Sequence, residues 1–421
     1  MRDARISKRL SMKKTLLTMI ITSFSANSFA EVEFLHWWTS KGEIKALEAL
    51  ENQLQHHDIQ LRHSAILGGG GDSAMTVLQA RALAGNTPDV AQIEGPSIKA
   101  WDDVGIVHTI NETALKHQWD ENLHPLTISI NKSANGYVAL PITLHRLNWM
   151  WVNHRLLDQL ELQVPTTWPE MFQAMEKAQQ ANLLPLAVGE QSWQIASLFE
   201  SLVIASGGVD FYHKALVELK RDHIDSEQMR LALRQLRKIA SFVEPLQPNQ
   251  NWDTATQSLI DNKALFQLGG DWILGDLLAS DVKVPQQIGC YPAPQSHNAF
   301  LYNMDSFIFM DAPDFSQQQA VEVANALADK TFQARFNQIK GSVPVRTDID
   351  LSAFNPCQRQ SAQDFIQASQ NGLAIPSMSD SMAVNPIAQQ AINSEIFNYY
   401  RNPNVTEEAV LRRIIAIAQS T

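Results

Sequence analysis

The sequence has few cysteines and fewer basic than acidic residues, and each shortage excludes some classes of function. Cys290 and Cys357 are the two cysteines among 421 residues, so there is no Cys-x-x-Cys motif, and the choice is between one disulfide and two free thiols. Lys and Arg number 33 against 44 Asp and Glu, a formal net charge of −11. Because so acidic a chain repels phosphate backbones and anionic lipids, we expect no binding to nucleic acid or to membrane surfaces.

Long hydrophobic runs are also missing, apart from a short one near the start. Six Lys and Arg residues precede the apolar segment 15–24, and small residues follow it up to Ala30. This pattern predicts an export signal cleaved after Ala30, with Met12 as an alternative start, and hence a periplasmic location. Since the first 30 residues carry six basic residues and one acidic residue, the remaining 391 residues have a formal charge of −16. That length predicts two domains.

Catalytic signatures are absent. The sequence contains no His-Glu-x-x-His pair, no Gly-x-Ser-x-Gly elbow and no phosphate-binding loop, and the glycine run 68–71 lacks the downstream Lys-Ser/Thr. We therefore expect no catalytic residues, no metal and no cofactor. The carboxylate pair of a glycoside hydrolase needs no local motif, so a periplasmic carbohydrate-active hydrolase remains the alternative.

Strand-like and helix-like segments alternate along the chain. Strand patterns at 31–38 and 60–67 alternate with the helical spacing of 43–55 and 73–84, and this order predicts open α/β sheets flanked by helices. In the middle of the chain, the capping boxes that start at Thr167 and Asp225 predict two further helices. No linker separates two halves, which favours a chain that crosses between two lobes several times.

Tryptophans stand where predicted strands end. Trp37 and Trp38 close the first strand, and Trp272 follows the glycine pair after a later one. Ligands of open α/β sheets bind outside the carboxyl ends of the strands. An aromatic ring can cover the apolar face of a sugar while polar side chains bond its hydroxyls. These positions therefore predict a sugar site, and core packing is the alternative interpretation of each tryptophan.

Seven segments, taken in order, resemble those of one known family. They are Phe34-Leu35-His36-Trp37-Trp38, Asp89-Val90-Ala91-Gln92, Pro141-Ile142-Thr143-Leu144-His145-Arg146, Trp168-Pro169-Glu170, Gly270-Asp271-Trp272, Met304-Asp305-Ser306 and Lys340-Gly341-Ser342-Val343-Pro344-Val345-Arg346. Their order and spacing, over nearly all of the chain after residue 30, resemble extracellular solute-binding proteins of family 1. Within that family the likeness is greatest to the glucose/mannose-binding receptors of ABC sugar importers.

The resemblance implies ten ligand-binding residues. They are Trp37, Trp38, Glu43, Gln92, His145, Trp193, Trp272, Asp305, Lys340 and Asp380. The last of these is a departure, because these receptors often have a histidine where this chain has Asp380. Exchange of a donor for an acceptor at that position would alter the preferred sugar.

The resemblance also implies an architecture and partners. The fold would be the two-lobed periplasmic binding protein fold (type II-like), with an open sheet flanked by helices in each lobe and the ligand in the interlobe cleft. The N-lobe would comprise 31–141 plus 304–344, and the C-lobe 142–303 plus 345–421. A monomer would close on its sugar and deliver it to the transmembrane subunits of an ABC permease, which works with a cytoplasmic ATPase. A chemoreceptor is a further partner that the fold could serve.

Overall fold

The computed structural model describes residues 30–67, 71–243 and 251–420. Residues 1–29 of the predicted export signal and residues 68–70 of the glycine run lie outside the described residues. The strands of the described residues are β1 (Ala30–His36), β2 (Ile59–Ala65), β3 (Val90–Ile93), β4 (Lys132–Ser133), β5 (Gly136–Tyr137), β6 (Ala139–Arg146), β7 (Trp149–Asn153), β8 (Leu184–Ala187), β9 (Ala264–Leu268), β10 (Ile288–Pro292), β11 (Phe300–Phe309) and β12 (Ala374–Pro376).

Helices occupy most of the intervening segments. They are α1 (Lys41–Gln55), α2 (Asp72–Leu83), α3 (Ser97–Val104), α4 (Asn111–Lys116), α5 (Trp119–Asn122), α6 (Pro125–Asn131), α7 (His154–Gln159), α8 (Trp168–Gln180), α9 (Ser192–Tyr212), α10 (Arg221–Ile224), α11 (Glu227–Ala240), α12 (Trp252–Ile260), α13 (Trp272–Ala279), α14 (Gln317–Leu327), α15 (Lys330–Lys340), α16 (Pro356–Gln370), α17 (Pro386–Arg401) and α18 (Glu407–Ser420). A π-helical turn, His213–Val217, continues α9.

Local sequence explains where several helices begin. Thr167 forms the predicted capping box with Glu170 at the start of α8, and Ser40 forms a further one, which was not predicted, with Glu43 at the start of α1. The predicted start at Asp225 is one residue early. Ser226 is the residue whose hydroxyl accepts the Met229 amide, so α11 begins after it.

The first sheet is open and mixed. Its strands run in the order β12-β11-β3-β1-β2, and β6 also pairs with β11. β1 is parallel to both β2 and β3, whereas β11 is antiparallel to β3 and β6. This arrangement confirms the α/β alternation inferred from the first hundred residues, and it places the ends of β1 and β3 at one edge.

The second sheet has four strands in the order β10-β7-β9-β8. Helix α9 packs against α11 and α17 in the same part of the molecule. Within the described residues, Ser192–Val217 is the one helical stretch long and apolar enough to cross a membrane, but most of it is buried inside the protein. Such burial is typical of a core helix.

Two hydrophobic cores correspond to the two sheets, so the molecule has two lobes. We call the core that contains Phe34 and Phe307 the first core, and the core that contains Trp151 and Phe266 the second core. The chain passes between the lobes more than once: β6 ends in the first sheet at Arg146, and β7 begins in the second at Trp149.

A buried arginine and a disulfide lie close to the places where the chain changes lobe. Arg146 stacks on Trp149 and Phe300, 4.4 and 5.3 Å from their ring centroids, and its Nη1 donates to Asp364 at 2.5 Å. Cys290 on β10 and Cys357 on α16 form a disulfide. The structure thus resolves the choice between disulfide and free thiols in favour of the disulfide.

Candidate functional site

A cavity lies between the two cores, and side chains of both lobes line it. Its lining combines aromatic rings with acidic and basic groups from both lobes. The lining residues are Trp37, Trp38, Glu43, Glu94, His145, Trp193, Trp252, Trp272, Asn303, Asp305, Lys340 and Asp380.

The end of β1 supplies one wall. Trp38 packs edge-on against Phe307 of the first core, with ring centroids 5.8 Å apart, so it is both core and cavity wall. The ring of Trp37 lies against Gly71, where a Cβ would come within 3.2 Å of it. Each tryptophan therefore packs against its neighbours and also lines the cavity.

The start of α13 supplies the opposite, aromatic wall. Trp272 makes edge contacts with Trp193 and Trp252, with centroids 5.8 and 6.4 Å apart. Gly270 has no room for a side chain, since a Cβ there would lie 2.3 Å from the Trp272 ring. Three rings from three helices thus form one apolar surface in the second lobe.

A buried histidine connects two strands of the first sheet to the start of α13. The Nδ1 of His145 lies 2.5 Å from Asp271 and its Nε2 lies 3.2 Å from Asp305. Burial opposes a charged imidazole, but the carboxylates of Asp271 and Asp305 outweigh it and raise the pKa of His145 to about 9. Although burial disfavours its charge, contacts with His145 lower the pKa of Asp305 to about 2. At neutral pH this group is an imidazolium between two carboxylates.

A second ion pair closes the other side of the cavity. The Nζ of Lys340, at the end of α15, donates to Glu43 Oε1 at 3.1 Å and lies 5.4 Å from the centroid of Trp38. The other carboxylate oxygen of Glu43 accepts the amides of Thr39 and Ser40. Both cationic residues of the cavity are therefore engaged by carboxylates of the protein.

Glu94 and Asn303 form a polar corner that the sequence analysis missed. Asn303 Nδ2 donates to Glu94 Oε1 at 2.8 Å and to the main-chain oxygen of Asp380 at 3.1 Å. Burial, followed by the charges of Asp380 and Asp305, raises the pKa of Glu94 well above its ordinary value.

The segment that carries Asp380 is hydrogen-bonded to a buried carboxylate of the second lobe. Glu200 on α9 accepts hydrogen bonds from the hydroxyls of Ser377 and Ser379 at 2.8 and 2.6 Å, and from the Met378 amide at 2.6 Å. These bonds to Glu200 fix the loop before Asp380 onto the second core.

The lobes also touch outside the cavity, at the amino end of α1. Asp276 Oδ1 on α13 accepts the Gly42 amide at 2.5 Å and the Ser40 hydroxyl at 2.8 Å. A Cβ on Gly42 would lie 2.5 Å from Gly275, and a Cβ on Gly275 would lie 2.7 Å from the Lys340 carbonyl oxygen. The contact is therefore one of main chain against main chain, with the lobes closed on each other.

Nine of the ten residues implied by the resemblance line this cavity. Gln92 lies behind it, where its Nε2 donates to Asp305 at 2.8 Å and its Oε1 accepts the Trp37 amide at 3.3 Å. Trp252, Glu94 and Asn303 line the cavity but were not foreseen. A period-2 pattern would have found two of them, because Glu94 follows Gln92 by two positions and Asn303 precedes Asp305 by two. No group of three or more potential metal ligands occurs among the described residues.

A two-lobed α/β molecule with its cavity between the lobes is the type II periplasmic binding protein fold. The chain belongs to the family of bacterial extracellular solute-binding proteins, whose model matches residues 45–362.

Relatives of known description cover almost the whole chain. It is 32% identical over 412 residues to a probable sugar-binding periplasmic protein of Mesorhizobium japonicum, over 96% of this chain and 99% of that protein. A probable sugar-binding periplasmic protein of Rhizobium meliloti is 32% identical over 400 residues, 95% of this chain and 96% of the relative.

Solved structures share the fold at low sequence identity. A chitin oligosaccharide binding protein superposes with a TM-score of 0.77 and 16% identity, over 92% of this chain and 98% of that one. The bacterial solute receptor AcbH, which is described as preferring β-D-galactopyranose, superposes with a TM-score of 0.76 and 15% identity, over 93% and 98% of the two chains.

Proposed function

We propose that this protein is the periplasmic sugar-binding component of an ABC importer, which captures a monosaccharide and delivers it to the membrane permease. Glucose and mannose are the first candidates. The observation that carries the proposal is the cavity itself, in which aromatic rings face ionised and amide groups across the space between two lobes. A pyranose needs both kinds of surface, one for its C–H face and one for its hydroxyls.

Its relatives support this proposal, because the similar proteins of Mesorhizobium japonicum and Rhizobium meliloti are described as probable sugar-binding periplasmic proteins. Export requires removal of the signal, and we place the cleavage after Ala30, at the start of β1. We propose lobes of 31–141 plus 304–344 and of 142–303 plus 345–421, with α16 extending beyond this division because it packs on both cores.

Binding would work through closure. Tryptophans 193, 252 and 272 belong to the second core, whereas Trp37, Trp38 and Asp305 come from elements of the first sheet. A sugar that contacts both walls stabilises the closed arrangement, so binding shifts the equilibrium between open and closed forms. The closed form would dock on the permease and release the sugar unchanged.

A thermal-shift panel of monosaccharides and disaccharides, followed by recovery of the sugar, tests the proposal. We expect one monosaccharide to raise the unfolding midpoint, because a ligand that binds only the native state stabilises it. Trp272→Ala should abolish the shift, whereas Trp119→Phe, in the first core and not among the residues that line the cavity, should keep it. No shift with any sugar would contradict the proposal, and consumption of the sugar would replace the receptor with a hydrolase.

A further inference from the structure

The cavity carries more acidic than basic groups. Glutamates 43 and 94 and aspartates 305 and 380 line it, against His145 and Lys340. Lys340 donates to Glu43, and His145 lies between Asp271 and Asp305, so each basic group already has at least one carboxylate partner. The lining therefore has a net negative charge in a space that is largely shielded from water.

The excess of acidic over basic groups in the cavity is concentrated around Glu94. This side chain is 5% exposed, and it is hydrogen-bonded to the amide of Asn303 and to the carboxyl group of Asp305. Its nearest charged influences, Asp380 and Asp305, are acids, and they raise the pKa of Glu94 together with burial. An ionised Glu94 therefore needs a positive charge from elsewhere.

The neighbouring amide shows that this corner lacks donors. Asn303 is 2% exposed, and its Oδ1 has no hydrogen-bond partner in the described structure. The orientation of the amide is fixed because its Nδ2 already donates to two acceptors, Glu94 Oε1 and the Asp380 carbonyl oxygen. Next to Glu94 there is thus a buried acceptor that a ligand donor can satisfy.

We propose that the ligand is an amino sugar, a hexose whose protonated amine is bound by Glu94 and Asn303 while its ring packs on Trp272. This inference rests on the proposed function and specifies the chemical class of its ligand. An ammonium has three donors and no acceptor, which suits a corner made of acceptors. It also supplies the positive charge that Glu94 lacks, and the nearby aromatic faces of the cavity favour a cation as well. A neutral sugar can donate its hydroxyls to the same oxygens, but it brings no charge to offset an ionised Glu94.

Calorimetric titration with D-glucosamine, D-glucose and N-acetyl-D-glucosamine tests this inference. At about pH 6, below the usual α-amino pKa of about 8, the glucosamine amine is protonated. We expect glucosamine to bind at least about tenfold more tightly than glucose, the difference of one charge-assisted hydrogen bond. N-acetylglucosamine, which has no charge, should show no such gain. Glucosamine should also release a proton from Glu94, measurable as a heat that depends on the buffer, whereas glucose should not.

A variant locates the amine. Glu94→Gln should remove the preference for glucosamine over glucose, while the matched control Glu121→Gln, an exposed acid outside the cavity, should retain it. Glucose that binds as tightly as glucosamine to the wild type would overturn the inference and leave the sugar receptor intact. A preference that survives in Glu94→Gln would overturn it too. If none of the three sugars binds, the amino-sugar inference fails, and the proposed function fails with it only if no sugar of the thermal-shift panel binds either.

Discussion

The Ser40 hydroxyl donates to Asp276 at 2.8 Å, and this hydrogen bond joins the amino end of α1 in one lobe to α13 in the other. Ser40 is at the same time the N-cap of α1, since its hydroxyl also accepts the Glu43 amide. One side chain therefore caps the amino end of α1 and also connects the closed lobes.

Replacement of Ser40 separates these two roles. Ser40→Ala should lower sugar affinity about fivefold, because a hydrogen bond of about 1 kcal/mol that exists in the closed form is lost. Ser316→Ala is the matched control, since Ser316 also forms a capping box but contacts no other lobe. Both variants should lose about 1 kcal/mol of unfolding free energy in urea. Equal sugar affinity of the two variants would show that the Ser40–Asp276 bond contributes nothing to closure.

Gly42→Ala should lower sugar affinity more strongly than Ser40→Ala does, and it should do so without lowering stability. Its Cβ would lie 2.5 Å from the Gly275 carbonyl carbon, so the lobes could no longer meet there. We expect sugar affinity to fall by more than about tenfold, while the stability of the open protein stays the same or rises, because alanine favours a helix over glycine. Titration calorimetry and thermal unfolding without sugar measure the two effects. Retained affinity would mean that the sugar-bound form does not use this contact.

The buried imidazolium predicts a pH dependence of stability. The pKa of His145 is raised from 6.5 to about 9, so its contribution is fully present below about pH 6.5 and is lost as the pH rises through about 9. The shift corresponds to about 3 kcal/mol of unfolding free energy. Urea unfolding between pH 6 and 10 should show this loss in the wild type and in the exposed control His57→Gln, but much less in His145→Gln. If the unfolding free energy fell equally with pH in all three proteins, the prediction would be contradicted.

Reduction of the disulfide should weaken the fold but leave the site intact. Cys290 and Cys357 are 67 positions apart, and closing a loop of this length stabilises by about 4 kcal/mol in the chain-entropy model. Neither cysteine lines the cavity. The double variant Cys290→Ala/Cys357→Ala should therefore unfold at lower urea with nearly unchanged sugar affinity. A large loss of affinity would indicate that the disulfide also positions the lobes.

The sequence predicted those parts of the site that have a local signature. Trp37 and Trp272 were found because they follow strands, and the alternation of elements was enough to predict the sheets. Glu94 and Asn303 were missed although strand periodicity points to them. Trp252 has no such signal, since it reaches the cavity through the packing of α12 on α13. No local sequence pattern predicts the contact of Gly42 with Gly275, because these residues are 233 positions apart and meet only in the folded chain.

The contact of Gly42 with Gly275 between the lobes bears on how the sugar preference of this protein can change during evolution. Gly42 and Gly275 meet through main-chain atoms, and neither glycine lines the cavity, so the closeness of the lobes there is set by residues other than those that would contact the sugar. If Glu94 and Asp380 select the sugar as proposed, substitutions there can change the preferred sugar without altering the contact of Gly42 with Gly275. On the proposed function, the preferred sugar can therefore change while the contact that sets the closed arrangement stays the same.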